Sequence, residues 1–251
     1  MLSKNDKTMI RALVLLYGLL AYFVSLIAIL YLIGFIGDHY VPKSINSGVP
    51  IPLNQALIIN SMLMGGFMLQ HSIMARERFK LWFVNKLPAP LERSTFVLVS
   101  SLMMFLLLWQ WQPMPNPVWA FNAPMLSSLF KIVALCGWLF AFYSTFMLDH
   151  FHLFGLRQAY LFFRNKETKP VIFKIRGPYK HVRYPILLGY CIAFWSTPRM
   201  TIGHLLFSIT MSILIFIGIR LKDKEFRLRH PKKFQAYKRR AHTIIPLLPK
   251  K

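Results

Sequence analysis

The chain alternates long apolar runs with short polar, turn-rich stretches. A first run extends from about Arg11 to Ile36 and gives way at Gly34 and Gly37 to a loop, Asp38 to Leu53, that closes with Pro50 and Pro52. Further runs cover about Asn54 to Met74, Ser94 to Trp111 and Met125 to Leu148. Each approaches the roughly 20 apolar residues a helix needs to cross a hydrocarbon core of about 30 Å, so each predicts a transmembrane helix. From Pro185 to Leu221 the chain is apolar again, but Thr197-Pro198-Arg199 breaks it into a short and a long arm, which predicts a helical hairpin. The first arm, about 13 residues, is too short for a perpendicular crossing at about 1.5 Å per residue. Residues 222–251 read as a cytoplasmic helical tail. The expectation is an all-α, polytopic integral membrane protein with about five or six spans, forming one membrane domain over residues 1–251.

Charge orients this frame. The N-terminus, the loop with Arg76, Arg78, Lys80, Lys86 and Arg93, the segment Asp149 to Tyr184 with Arg157, Arg164, Lys166, Lys169, Lys174, Arg176, Lys180 and Arg183, and the tail are all basic. The alternate loops are nearly uncharged, and one carries Trp109, Trp111 and Trp119 around Pro113, Pro115 and Pro117, as an interfacial belt does. The positive-inside rule then puts both termini in the cytoplasm. Short loops and abundant lysine point to a bacterial inner membrane.

Composition agrees: of 251 residues 55% are hydrophobic and 16% charged, and the mean hydropathy of +0.45 lies outside the soluble range. A net charge of +23 in a soluble chain would point to nucleic acid. Here membrane topology and anionic lipid account for it, so no nucleic-acid partner is expected. Cys136 and Cys191 sit in apolar stretches and offer neither a disulfide framework nor metal spacing. The histidines also lack the spacing of a metal site, so none is expected. The first apolar run is too long for a signal peptide. Gly65-Gly66 predicts a close helix contact. Oligomeric state leaves no mark on the sequence.

Candidate chemistry concentrates in Arg176-Gly177-Pro178-Tyr179-Lys180-His181-Val182-Arg183-Tyr184-Pro185-Ile186-Leu187-Leu188-Gly189, where a turn runs into the hairpin and Pro185 suits a first helical turn. By composition alone the tail is a basic juxtamembrane helix on anionic lipid. Two features exceed that. Asp223 and Glu225, two of only eight acidic residues, lie at the mouth of the last span. Phe234 and Tyr237 share a helix face, and Pro246 and Pro249 follow. A cationic cofactor wants carboxylates and aromatic rings. S-adenosylmethionine is one: Arg183 would pair with its carboxylate, Tyr179, Tyr184 and Tyr237 would stack or hydrogen-bond, and Asp223 or Glu225 would face its amine or ribose.

The stretch Arg176 to Gly189, the hairpin, the acidic residues and the tyrosine-bearing tail together resemble the isoprenylcysteine carboxyl methyltransferase-like membrane methyltransferases. Gln70-His71-Ser72-Ile73-Met74-Ala75-Arg76, Glu92-Arg93-Ser94-Thr95, Trp109-Gln110-Trp111, His150-Phe151-His152-Leu153-Phe154-Gly155-Leu156-Arg157-Gln158 and Ala193 to Phe207 are similar to the methanethiol S-methyltransferase branch, related to nurim. The resemblance spans nearly the whole chain. It implies transfer of a methyl group from S-adenosylmethionine to a small thiol, methanethiol, giving dimethyl sulfide, with the cofactor between hairpin and tail. Carried over by position, Tyr179, Arg183, Pro185, Gly189 and Tyr237 fall on the cofactor motif. Two positions depart from it: Tyr184 stands where the family usually has histidine, and Lys222-Asp223-Lys224-Glu225 where it usually has an acidic pair followed by Arg and Asp. Tyrosine donates a hydrogen bond but cannot become cationic. Lys222 reverses a charge, for which Asp223 and Glu225 are the available compensation.

Methyl transfer to a thiol requires the thiolate, aligned with the methyl carbon. His71 beside Gln70, and His150 beside Asp149 and Gln158, are the candidate catalytic groups; His152 and His204 are weaker ones. Two alternatives stay open: a non-catalytic, nurim-like membrane protein that uses its tail for lipid or protein contacts, and a methyltransferase acting on an isoprenylcysteine carboxylate or a lipid.

Overall fold

The computed structural model describes residues 3–167 and 175–244; Lys169, Lys174, Pro246 and Pro249, named above, lie outside the described residues. In chain order the elements are α1 (Lys4–Gly37), α2 (Leu53–Met74), α3 (Glu77–Val84), α4 (Pro90–Gln110), β1 (Pro117–Ala120) and α5 (Pro124–Leu148). They continue with α6 (His150–Leu153), α7 (Leu156–Phe163), a 3-10 turn (Gly177–Lys180), α8 (Pro185–Trp195), β2 (Arg199–Thr201), α9 (Ile202–Arg229) and α10 (Pro231–Arg240). Among the described residues five helices, α1, α2, α4, α5 and α9, are long and apolar enough to cross a membrane. The all-α, polytopic expectation holds, and the protein is an integral membrane protein.

The chain forms two units by internal contact, Met1–Pro113 with Asp149–Ile172, and Met114–Leu148 with Phe173–Lys251. In the first, α1 packs on α4 and α7, and α2 packs on α4. α1 begins well before its apolar run because Ser3 and Asp6 form a capping box, each side chain accepting from the other's backbone N–H. Along it Leu13, Leu16, Leu20, Phe23, Ile27 and Leu30 are exposed, whereas Ala21 and Ala28 are buried. Large apolar side chains thus face the lipid and small ones face protein, because without water between helices close packing drives association. Asn60 on α2 is fully buried, and its amide both donates to the Gln112 carbonyl (2.8 Å) and accepts from the Gln112 N–H (2.9 Å), satisfying backbone just past the end of α4.

In the second unit the main contact is α5 against α8. Gly137 and Ala141 on α5 face Gly189 and Ala193 on α8: a Cβ added at Gly137 would lie 2.8 Å from the Ala193 nitrogen, and one at Gly189 would lie 2.6 Å from the Gly137 carbonyl oxygen. Two small-xxx-small pairs therefore bring the backbones together. Gly65 and Gly66 do not serve this purpose: among the described residues nothing lies within 4 Å of a Cβ at Gly65, and only the Met103 methyl, at 3.9 Å, approaches one at Gly66. The contact expected at Gly65-Gly66 is not found there; the close approach lies between α5 and α8.

The hairpin expected between residues 185 and 221 is present, with three differences. α8 has 11 residues, about 16 Å at 1.5 Å per residue, half of the hydrocarbon core. Its return is pinned by an antiparallel ribbon that hydropathy does not reveal, pairing Pro117 with Thr201, Trp119 with Met200 and Ala120 with Arg199. α9 continues past Leu221 to Arg229 and stops at His230, just before Pro231, which disfavours helix in the residue it follows. The tail therefore begins as part of the last transmembrane helix.

Candidate functional site

The second unit holds the positions expected from the sequence to bind a cofactor. Gly177 opens the 3-10 turn at φ +50°, a conformation glycine adopts without strain, and the turn buries Tyr179. The chain leaves it extended: Arg183 N–H donates to the His242 carbonyl (2.8 Å), and His242 N–H to that of His181 (2.9 Å). Residues 181–183 and 242 thus form a parallel bridge. Pro185 then begins α8 at its first turn, as expected.

Arg183 is buried at 6% exposure. Its Nη2 donates to Asp223 Oδ2 on α9 (3.0 Å) and to Thr243 Oγ1 (2.8 Å), while its guanidinium stands 5.8 Å from the Phe234 ring centre on α10. Its buried Nε–H has no hydrogen-bond partner among the described residues. Tyr184 O–H donates to Asp223 Oδ1 (2.7 Å), so one carboxylate holds both neighbours. Tyr237 O–H donates to the Tyr179 carbonyl (2.8 Å). Phe234 and Tyr237 are both buried, on one face of α10.

The hydroxyls here stay neutral. Burial raises the Tyr179 pKa, and it also raises that of Tyr184, assisted by the bond to Asp223. Burial pushes Tyr237 up to about 12, against the pull of Arg183. The cation and the anion of the network are Arg183 and Asp223.

Not every expected residue joins it. Glu225 pairs with Lys222 (3.3 Å) and Arg229 (3.4 Å) at the surface. Two residues apart on a helix, Asp223 and Glu225 point about 200° from each other, so one faces Arg183 and the other does not. Lys222 likewise points outward, with its side chain 59% exposed. Gly189 spends its open face on α5. His204, a weaker candidate base, is buried and donates from Nε2 to the Phe194 carbonyl (2.8 Å), which Ser208 also caps. That is a structural role at the end of α8. Thr243 and Phe234 complete the site around Arg183, although residue type alone did not single out Thr243.

His71 and His150 lie in the first unit. His71 Nδ1 meets the Ser100 hydroxyl (3.4 Å), and its ring sits against Phe67 and Phe96. Gln70 Nε2 reaches Ser100 (3.3 Å) and Met74 Sδ (3.0 Å). His150 is 2% exposed, and its Nε2 is 3.0 Å from the Tyr22 hydroxyl. Burial lowers its pKa, with Asp149 opposing. Asp149 caps α6 by accepting from His152 N–H (3.2 Å) and pairs with Arg157. Gln158 donates to the His152 carbonyl (3.1 Å), not to the His150 ring. The sequence missed Arg93, which enters this unit from the first turn of α4. Its Nε donates to the Leu153 carbonyl (2.6 Å), and its guanidinium lies 4.9 Å from the Phe96 ring centre. The signal was its place in Glu92-Arg93-Ser94-Thr95. No group of three His, Cys, Asp or Glu side chains comes together among the described residues.

No family model matches the chain, and no solved structure matches it. Similar curated proteins do. The chain is 42% identical to the methanethiol S-methyltransferase of Crocosphaera subtropica, covering 96% of this chain and 94% of that one. It is 43% identical to methanethiol S-methyltransferase 2 of Bradyrhizobium diazoefficiens, over 95% and 92%. A nurim homolog of Drosophila pseudoobscura is more distant, 27% identical over 67% and 69%.

Proposed function

We propose, from the premise that this chain belongs to the methanethiol S-methyltransferase family, that it methylates methanethiol to dimethyl sulfide using S-adenosylmethionine. The observation that carries this reading is the network around Arg183, a position the resemblance assigns to the cofactor: Arg183 donates to Asp223 and Thr243, and Tyr184 donates to the same Asp223. When bound, S-adenosylmethionine supplies a methyl group on a positively charged sulfur; the methyl passes to the thiol sulfur, the thiol proton goes to water, and the donor is left as a neutral thioether.

The residues present fit such a group. Its carboxylate needs a cation, and Arg183 offers a buried guanidinium with an unpartnered Nε–H. Its positive end needs an anion or an aromatic face, and Asp223 keeps a quarter of its side chain exposed, at 26%. Arg183 is already held by Asp223 and Thr243, so little ordering is left for binding to impose. Tyr184, where the family resemblance has histidine, donates one hydrogen bond to Asp223 and adds no charge. Lys222, turned outward to Glu225, leaves Asp223 to Arg183 and Tyr184. Loop charge supports cytoplasmic termini and, with the bacterial relatives, a bacterial inner membrane.

The test has two readouts on the purified, detergent-solubilised protein: S-adenosylmethionine binding by equilibrium dialysis, and dimethyl sulfide in the headspace after adding methanethiol. Wild type and Lys222→Ala are expected to do both, and Arg183→Ala to lose both. Binding without dimethyl sulfide would move the reading to another acceptor, such as an isoprenylcysteine carboxylate. No binding at all would replace it with the non-catalytic, nurim-like protein.

A further inference from the structure

In the first unit, α1 and the chain joining α3 to α4 border a groove of about 460 Å³, large enough for part of a small molecule or a lipid chain. Ile10, Leu13 and Val14 line one side, and Leu87, Pro88 and Leu91 the other. At its floor the Tyr17 and Thr95 hydroxyls bond to each other at 3.0 Å. The two polar side chains of the lining thus satisfy one another, and what the groove offers an occupant is hydrocarbon.

Its rim is basic. Lys7, Ile10, Val14 and Tyr17 recur at intervals of three and four, so they share one face of α1, and Lys7 stands a turn before the groove. Lys86 directly precedes Leu87, and its ammonium lies 5.7 Å from the Trp82 ring centre. Both lysines are exposed and make no ion pair among the described residues. Arg11, beside Ile10, is held by Asn165 Oδ1 (2.6 Å) and adds a third cation. The acids nearest in sequence are engaged elsewhere: Asp6 closes the capping box of α1, and the charge of Glu92 acts on Arg93. Before Lys86, α3 carries Leu81 and Trp82 exposed, as a helix lying in the membrane interface does. The loop charge that supports cytoplasmic termini sets this rim against the leaflet that carries anionic lipid.

We propose that this groove binds one anionic phospholipid of the surrounding membrane, with an acyl chain between α1 and the α3–α4 connection and the phosphate held by Lys7 and Lys86. The site goes beyond methyl transfer and does not rest on it. Neither half would select a lipid alone: exposed apolar side chains on a membrane helix meet any chain, and exposed lysines attract any anion. Together they do, because the concave lining seats one chain and the charge at its mouth tells an anionic headgroup from a zwitterionic one. An occupant lies over the Tyr17–Thr95 bond that ties α1 to α4, so binding stabilises that contact in the folded chain.

Native mass spectrometry of the full-length protein in detergent reads the binding, with phosphatidylglycerol and phosphatidylcholine of the same chains added separately. A lysine at an anionic surface is worth roughly fivefold in affinity, so wild type is expected to hold phosphatidylglycerol roughly twentyfold more tightly. The double variant Lys7→Gln, Lys86→Gln is expected to bind the two lipids about equally. Leu13→Trp, whose added bulk enters the groove and leaves every charge in place, is expected to weaken both. Lys224→Gln with Lys238→Gln removes the same charge from exposed positions on the tail and is expected to keep the wild-type preference. Glycerol 1-phosphate, a headgroup without chains, is expected not to displace the lipid. Equal binding of the two lipids by wild type would overturn the site, as would a preference lowered as much by the tail pair as by the groove pair. Wild-type affinity in Leu13→Trp, or displacement by glycerol 1-phosphate, would show that no chain occupies the groove and would overturn it too.

Discussion

Replacing Gly189 by alanine tests whether the α5–α8 contact holds the proposed cofactor site in position. The added Cβ would lie 2.6 Å from the Gly137 carbonyl oxygen, 2.7 Å from the Ala141 nitrogen and 2.8 Å from the Ala141 Cβ, where ordinary contact begins near 3.4 Å. The shortfall, about 0.6–0.8 Å, cannot be absorbed by a side-chain rotation because two of the three atoms are backbone, so one helix has to move. Overpacking of this kind costs about 1–3 kcal/mol. Against it stands the gain of about 1 kcal/mol when glycine becomes alanine in a helix. The steric term wins, by about 1–2 kcal/mol at the upper end of its range, or a fall of about 2–8 °C in Tm for a chain of this size. A shift of that size at α8 also displaces Tyr184, the residue just before it, from its 2.7 Å bond to Asp223, so cofactor binding should weaken with stability. Gly65→Ala and Gly218→Ala are the controls, since among the described residues nothing lies within 4 Å of either Cβ and the propensity gain remains. Thermal unfolding followed by helical circular dichroism in one detergent, beside cofactor binding, reads both effects. If Gly189→Ala melts with or above Gly65→Ala, close approach of α5 and α8 does not organise this unit.

Tyr184→Phe removes one hydrogen bond to a carboxylate that Arg183 still holds, so the low end of the range for charged acceptors applies. S-adenosylmethionine affinity is expected to fall about tenfold by equilibrium dialysis, and less in Tyr184→His, which keeps a donor; an unchanged affinity in the phenylalanine variant would remove Tyr184 from the site. Alkaline titration tests the buried hydroxyls. Tyr237 has its pKa raised from 10.0 to about 12, so above pH 10 the unfolded chain loses this proton before the folded one does. Its stabilising effect is complete below that pH and is lost as pH rises towards 12, which should make wild type lose stability more steeply there than Tyr237→Phe in pH-dependent melting. Parallel slopes would mean that Tyr237 is not buried as described.

Much of this was legible in advance because membrane insertion makes hydropathy and loop charge decisive. The spans, the hairpin and the pairing of Phe234 with Tyr237 follow from periodicity alone. What failed to show depends on which way a helix is turned. Gly65-Gly66 is the conspicuous glycine pair, yet contact requires small residues four apart on facing stripes, as at Gly137, Ala141, Gly189 and Ala193. Asp223 and Glu225 are equivalent by composition, and only the phase of α9 separates the one that meets Arg183. The charges from Lys222 onward mark where α9 leaves the membrane, not where it ends, so the helix was read as tail. Arg93 was absorbed into the basic count of its loop, which hid its place beneath Phe96.

The strand-like pairing of residues 181–183 with His242 and Thr243 has a consequence in time. Arg183 obtains its Thr243 partner across a separation of 60 residues. At synthesis rates of about 5–20 residues per second, some 3–12 seconds pass between making the arginine and making the threonine that holds it. During that interval α8 and α9 enter the bilayer on hydropathy alone, while the arginine still lacks its second anchor. Membrane insertion and completion of the Arg183 network are therefore separate events in the life of the chain, and the second waits on a few polar residues that insertion does not need.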